Sequence, residues 1–160
     1  MGTRGLFGFY YKGKYYVAYN HWDSYPSGLG VEIVNQIKTA IRENRLEEWK
    51  SLLDNIKIIN WEVTPTEEDI YKLAPYTDLS VSTASTSDWY CLTRKTQGNM
   101  NSVLNCGYID NHVDKSTGEP GWEEYAYILN FETNMLDFYS GDQLSNSYSL
   151  NQLPDFSKEC

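Results

Sequence analysis

Two strand–turn–strand segments at opposite ends of the chain, with helical periodicity between them, restrict the fold class more than any other feature. Near the start, Leu6-Phe7-Gly8-Phe9-Tyr10-Tyr11 and Tyr15-Tyr16-Val17-Ala18-Tyr19 are rich in aromatic strand formers, and Lys12-Gly13-Lys14 between them supplies a turn. Near the end, Tyr125-Ala126-Tyr127-Ile128-Leu129-Asn130-Phe131 and Met135-Leu136-Asp137-Phe138-Tyr139 flank Glu132-Thr133-Asn134, and Gly141 closes the second strand. Between them, Leu29, Ile33, Ile37 and Ile41 recur at helical spacing, with Val34 widening the stripe and Glu32, Lys38, Arg42 and Glu43 off it. That pattern predicts a helix over 29–44. A second helix is expected over 46–55, burying Leu46, Trp49, Leu52 and Leu53. The expected class is α+β, with antiparallel hairpins at both ends packed against two or three helices.

The remaining segments carry weaker signals. Residues 56–63 read as extended. Thr64-Pro65-Thr66-Glu67 predicts a helix start, with Thr64 as cap, Pro65 at the first helical position and Glu67 closing a capping box. That helix should run to Leu73 and stop before Pro75. The Ser/Thr-biased stretch 80–87 fits a loop or an edge, and Trp89-Tyr90-Cys91-Leu92 a short strand. Residues 110–121 suit a surface loop with its tip at 115–121. From about residue 142 the chain reads as a polar tail, with Leu144, Tyr148, Leu150, Leu153 and Phe156 able to dock on the body. With no repeat and no linker, residues 1–160 are expected to form a single domain.

Charge narrows the partners. The net charge of −9 and the absence of a basic stripe disfavour nucleic acid and anionic membrane surfaces. No stretch approaches the roughly 20 apolar residues of a membrane-spanning helix, so no membrane insertion is expected. The first residues lack the features of a secretory signal, and Leu6 stands where a myristoylation motif needs Ser or Thr, so cytoplasmic synthesis is expected. With a pI near 4.6, mutual repulsion should fade at about pH 5 and association should become easier.

The cysteines Cys91, Cys106 and Cys160 match no zinc spacing, and neither a metal nor a cofactor is expected. All three are disulfide candidates. Cys160, at the end of the tail, is best placed for a bond between molecules in an oxidising compartment. The 14 tyrosines exceed what a core of this size needs. They fit either rigid surface contact area for self-association or ordinary strand decoration.

The densest chemistry lies at the first hairpin's open end. Thr3 and Arg4 precede it, and Asn20, His21 and Asp23 follow it. Folding the hairpin brings these groups together. Arg4 can clamp a carboxylate, either Asp23 or a ligand's, and His21 can act as a base oriented by Asp23. The same groups can equally form a structural polar cluster that fixes the loop.

The stretches Met1-Gly2-Thr3-Arg4-Gly5 and Tyr19-Asn20-His21-Trp22-Asp23-Ser24-Tyr25-Pro26-Ser27-Gly28-Leu29-Gly30 resemble a family of small bacterial, phage and fungal proteins. Glu124-Tyr125-Ala126-Tyr127-Ile128-Leu129-Asn130-Phe131 with Leu136-Asp137-Phe138-Tyr139 is similar to that family's second signature. Many members carry a cysteine directly after the starting methionine, as N-terminal-nucleophile hydrolases do, and a reduced form of that enzyme sandwich is the fold implied. Here the position is Gly2, which has no nucleophilic atom. The resemblance therefore implies no catalytic residue and no enzyme. Its fungal branch implies a protein that assembles with itself into crystalline vacuolar bodies, which sediment and report gravity. Two alternatives are a module binding a small anion at Arg4, His21 and Asp23, and a catalytically degenerate hydrolase.

Overall fold

The computed structural model describes residues 3–158, so Gly2 and Cys160 lie outside the described residues. Strands β1 (Gly5–Tyr11) and β2 (Lys14–Asn20) form the first hairpin. Its turn places Lys12 and Gly13 at φ 50° and 75°, the left-handed region that suits a tight hairpin and favours glycine. Helices α1 (Val31–Arg42) and α2 (Leu46–Asp54) follow. Strand β3 (Lys57–Ile58), helices α3 (Glu67–Leu73), α4 (Trp89–Thr93) and α5 (Met100–Cys106), and strand β4 (Tyr108–Ile109) make up the middle of the chain. Strands β5 (Tyr125–Asn130), β6 (Met135–Ser140) and β7 (Gln143–Ser149) complete it.

The chain is α+β. Its two hairpins join in one five-stranded sheet of order β2-β1-β5-β6-β7, in which β1 runs parallel to β5 and the other neighbours are antiparallel. Central strands must be apolar on both faces, which explains why β1 and β5 lack clean alternation. Phe7, Phe9, Tyr127 and Leu129 pack on one face with Ile33, Ile37, Trp49, Leu53, Met100 and Val103 of α1, α2 and α5. Leu6, Ala126 and Ile128 point to the other face, with Val17, under Val113 and Trp122 of the long loop before β5. Full burial of each such side chain contributes about 1.5–3 kcal/mol. The described residues thus hold one five-stranded sheet with helices on one face and a loop on the other. Among them, no helix is long and apolar enough to cross a membrane.

Beside this layer, β3 and β4 pair in parallel, and Ile59, Leu73, Trp89, Leu92, Cys106 and Tyr108 close a satellite core.

Several segments differ from expectation. Trp89–Leu92 is helical, because the Asp88 side chain accepts from the Tyr90 N–H and caps a turn that overrides the aromatic strand bias. Helix α3 is capped by Thr66, two residues later than expected. Its hydroxyl accepts from the Asp69 N–H at 3.1 Å while Asp69 accepts from the Thr66 N–H at 2.9 Å. Helix α5, which has no apolar stripe long enough to announce it, is started by Asn99 and stopped by Gly107 at φ 79°. The supposed polar tail provides strand β7 and a final 3-10 turn, Phe156–Lys158. Phe156 is fully buried against Tyr127, Phe138 and Tyr148, whereas Leu144 stays 54% exposed.

The two edges of the sheet are finished differently. Along β2, the Asn111 side chain imitates a neighbouring backbone: it accepts from the Val17 N–H at 2.8 Å and donates to the Tyr15 carbonyl at 3.1 Å. The His112 N–H adds a bond to the Val17 carbonyl. Strand β7 has no further strand beside it among the described residues, and its residues 143–149 include no charge and no proline.

Candidate functional site

The signature segment folds into a knot held by its own backbone. Asp23 sits at φ 53°, a conformation that Asp tolerates better than most residues, and its carbonyl accepts from the Leu29 N–H at 2.9 Å. A π-helical turn over Pro26–Gly30 then leads into α1. Ser24, at 0% exposure, is the centre: its N–H donates to the Thr3 carbonyl, its hydroxyl to the Asn20 carbonyl, and its own carbonyl accepts from the Tyr127 hydroxyl at 2.8 Å. Glycine is required where these parts meet. A Cβ on Gly5 would lie 2.5 Å from the Ser24 Cβ, and one on Gly30 would lie 2.9 Å from the Phe156 ring.

The residues singled out from the sequence serve this knot in different ways. Thr3 contributes its carbonyl, and Asn20 donates to the Trp22 carbonyl and the Ser24 hydroxyl. The His21 Nδ1 faces the Tyr19 hydroxyl at 2.8 Å, and the His21 backbone N–H donates to Gln97 Oε1. Arg4 is exposed and its backbone N–H donates to Glu124 at 2.7 Å. Asp23 is exposed too, and the described residues include no ion pair between it and Arg4. His21 Nδ1 therefore meets Tyr19, where the sequence pointed to Asp23. Of the disulfide candidates, Cys91 and Cys106 are buried and free. The Cys106 thiol donates to backbone carbonyls at 3.1 and 3.2 Å, and burial pushes its pKa up to about 11, which suppresses the reactive thiolate.

A concave site does exist, at the capped β2 edge. It is a cleft of about 400 Å³ between β2, α4, α5 and the segment after β4, within the size range of small-molecule sites. Tyr19, Trp61, Tyr90 and Tyr108 contribute ring surface, and Asp110, His112 and Glu123 contribute polar side chains. The Trp61 indole N–H donates to Asp110 Oδ1 at 2.7 Å. Burial raises the Asp110 pKa above the usual carboxylate value, against the opposing pull of Trp61 and His112. His112 Nε2 lies 3.3 Å from Glu123 Oε2, and its ring is 5.6 Å from that of Tyr19. Burial likewise raises the Tyr19 hydroxyl.

Sequence reading missed this cleft because its polar groups come from segments far apart in the chain. The local sign was Asp110-Asn111-His112, three polar side chains directly after the apolar Tyr108-Ile109. Such a cleft can bind a small polar or cationic molecule. Among the described residues, no group of three or more His, Cys, Asp or Glu side chains is arranged to hold a metal ion. Comparison with known proteins finds no matching family model, and no curated protein or solved structure matches the chain significantly.

Proposed function

We propose that this chain is a non-enzymatic structural protein that assembles with itself into dense ordered bodies. The observation carrying the reading is the unequal finish of the sheet. One edge is closed by Asn111, while β7 is the last strand of the sheet among the described residues and offers seven uncharged residues, Gln, Leu, Ser, Asn and Tyr, of which the first four are exposed. Edges without Lys, Pro or a covering strand template pairing with another chain; the one irregularity of β7 is a register shift opposite Phe138 and Tyr139, between Leu144 and Asn146.

Charge and exposed rings support the same reading. A protein of net charge −9 and pI 4.6 repels its copies near neutrality and loses that repulsion in acid. Trp22 and Tyr71 are 49% and 81% exposed and offer rigid contact area. The setting is an acidic vacuole, where dense bodies would sediment and report gravity. It follows from the resemblance of the N-terminal signature to the fungal branch that includes octin, a vacuolar crystal protein.

Light scattering of the purified chain, as the pH falls from about 7.5 to about 5, tests the reading. Concentration-dependent growth of scattering at the lower pH is expected. A chain that stays monomeric there, at the highest soluble concentration, contradicts it. The cleft favours a second, compatible reading as a ligand-binding module.

A further inference from the structure

We propose that the cleft beside β2 binds a small molecule carrying a primary ammonium group. Tyr19, Trp61 and Tyr90 present aromatic surface, and Trp61 is 53% exposed although its N–H is fixed; Tyr108 also lines the cleft but is buried and carries Lys57 Nζ over its ring at 5.3 Å. Aromatic faces attract cations through the ring quadrupole, by about 0.5–2 kcal/mol depending on desolvation. The lining contains two carboxylates and neither lysine nor arginine. Its one basic side chain, His112, is already paired with Glu123. Arg4 and Arg94 act electrostatically on Tyr19 but line no part of the cleft.

The hydrogen bonds narrow the cation further. Asp110 spends Oδ1 on the Trp61 indole, and Glu123 places Oε2 against His112. Among the described residues the second oxygen of each carboxylate remains an acceptor, which selects an ammonium with N–H groups over a quaternary one. The cleft thereby favours the charge opposite to that expected for an Arg4-centred pocket. The chain's net charge of −9 also steers cations towards it. This inference stands independently of self-assembly, because β7 contributes nothing to the lining.

Isothermal titration with phenethylamine tests it on the full chain at a pH of about 7.5, where the protein is furthest from its assembly range. Tetramethylammonium serves as the cation without N–H, phenylacetate as the anion of similar shape, and glucose as the neutral polyol. Saturable phenethylamine binding, at least about tenfold tighter than each comparison compound, is the expected result. Asp110→Asn, which keeps an acceptor for Trp61, should weaken it about tenfold or more with an unchanged thermal midpoint. If that variant does not fold, Glu123→Gln carries the same expectation. No saturable binding up to about 10 mM, equal binding of phenylacetate or glucose, or an unchanged affinity in the folded carboxylate variant would overturn the assignment.

Discussion

Asp69→Asn isolates one of the few buried charges and allows its magnitude to be worked out. Asp69 is 5% exposed and closes the capping box of α3. It also accepts from the Tyr108 hydroxyl at 2.6 Å and from Lys57 Nζ at 3.4 Å. Burial acts to raise its carboxyl. The hydrogen bonds from Tyr108, from the Thr66 backbone and hydroxyl, and from Lys57 outweigh that effect and bring it from 3.8 to about 2. At about 1.4 kcal/mol per pKa unit, the depression contributes roughly 2.5 kcal/mol. Lys57 supplies little of this, since its side chain is 58% exposed and such pairs are weak.

Because the folded pKa lies below the unfolded one, the contribution is fully present above about pH 4 and is lost as the pH falls through about 2. Urea unfolding of the wild type and Asp69→Asn should therefore differ by about 2–3 kcal/mol near neutrality, and the gap should close across that acid window. A gap below about 0.5 kcal/mol at neutral pH, or one of constant size down to about pH 2, would refute the reasoning.

Gly5→Ala should cost about 2–3 kcal/mol, since its Cβ would fall 2.5 Å from the Ser24 Cβ and 3.0 Å from the Tyr125 carbonyl oxygen. Thermal unfolding checks this, and a loss below about 0.5 kcal/mol would show that the knot yields easily. Thiol labelling of the native protein at about pH 8 should spare Cys91 and Cys106 until denaturant is added, because both are buried. Fast native modification of either would contradict their placement. Asn111→Ala removes both side-chain bonds that close the β2 edge, and should cost about 1–3 kcal/mol while promoting aggregation. Chemical denaturation with parallel light scattering reads both effects, and an unaltered protein would show that the cap is dispensable.

The hairpins and the first two helices were legible because each declares itself through a local period: aromatic strand formers around a Lys-Gly turn, and apolar residues at helical spacing from Leu29 to Ile41. That the hairpins would share a sheet was not legible, since the parallel pairing of Gly5 with Tyr125 joins residues from opposite ends of the chain. Capping chemistry accounts for most of the local differences. Thr64 and Thr66 are both plausible caps, and only the reciprocal bonds with Asp69 select the second. Asp88 likewise turns an aromatic, strand-like run into α4. Strand β7 escaped notice because an exposed edge needs no apolar alternation. The signature's importance was visible, but its chemistry was not. Ser24, Gly5 and Gly30 form the contact between β1, α1 and Tyr127, which no local pattern of residue types announces. The cleft lies beyond local reading altogether, because Trp61, Asp110 and Glu123 meet only after the satellite core closes.

Sedimentation velocity of Ser145→Lys against the wild type, at a pH of about 5 and across a concentration series, bears most directly on assembly through the open edge. Ser145 is exposed on β7. Ser51→Lys, exposed on α2, matches its charge away from the edge. The account predicts concentration-dependent larger species for the wild type and Ser51→Lys, with a shift to monomer of about tenfold or more for Ser145→Lys. Equal assembly of all three proteins, or a wild type that sediments as a monomer throughout, would contradict it.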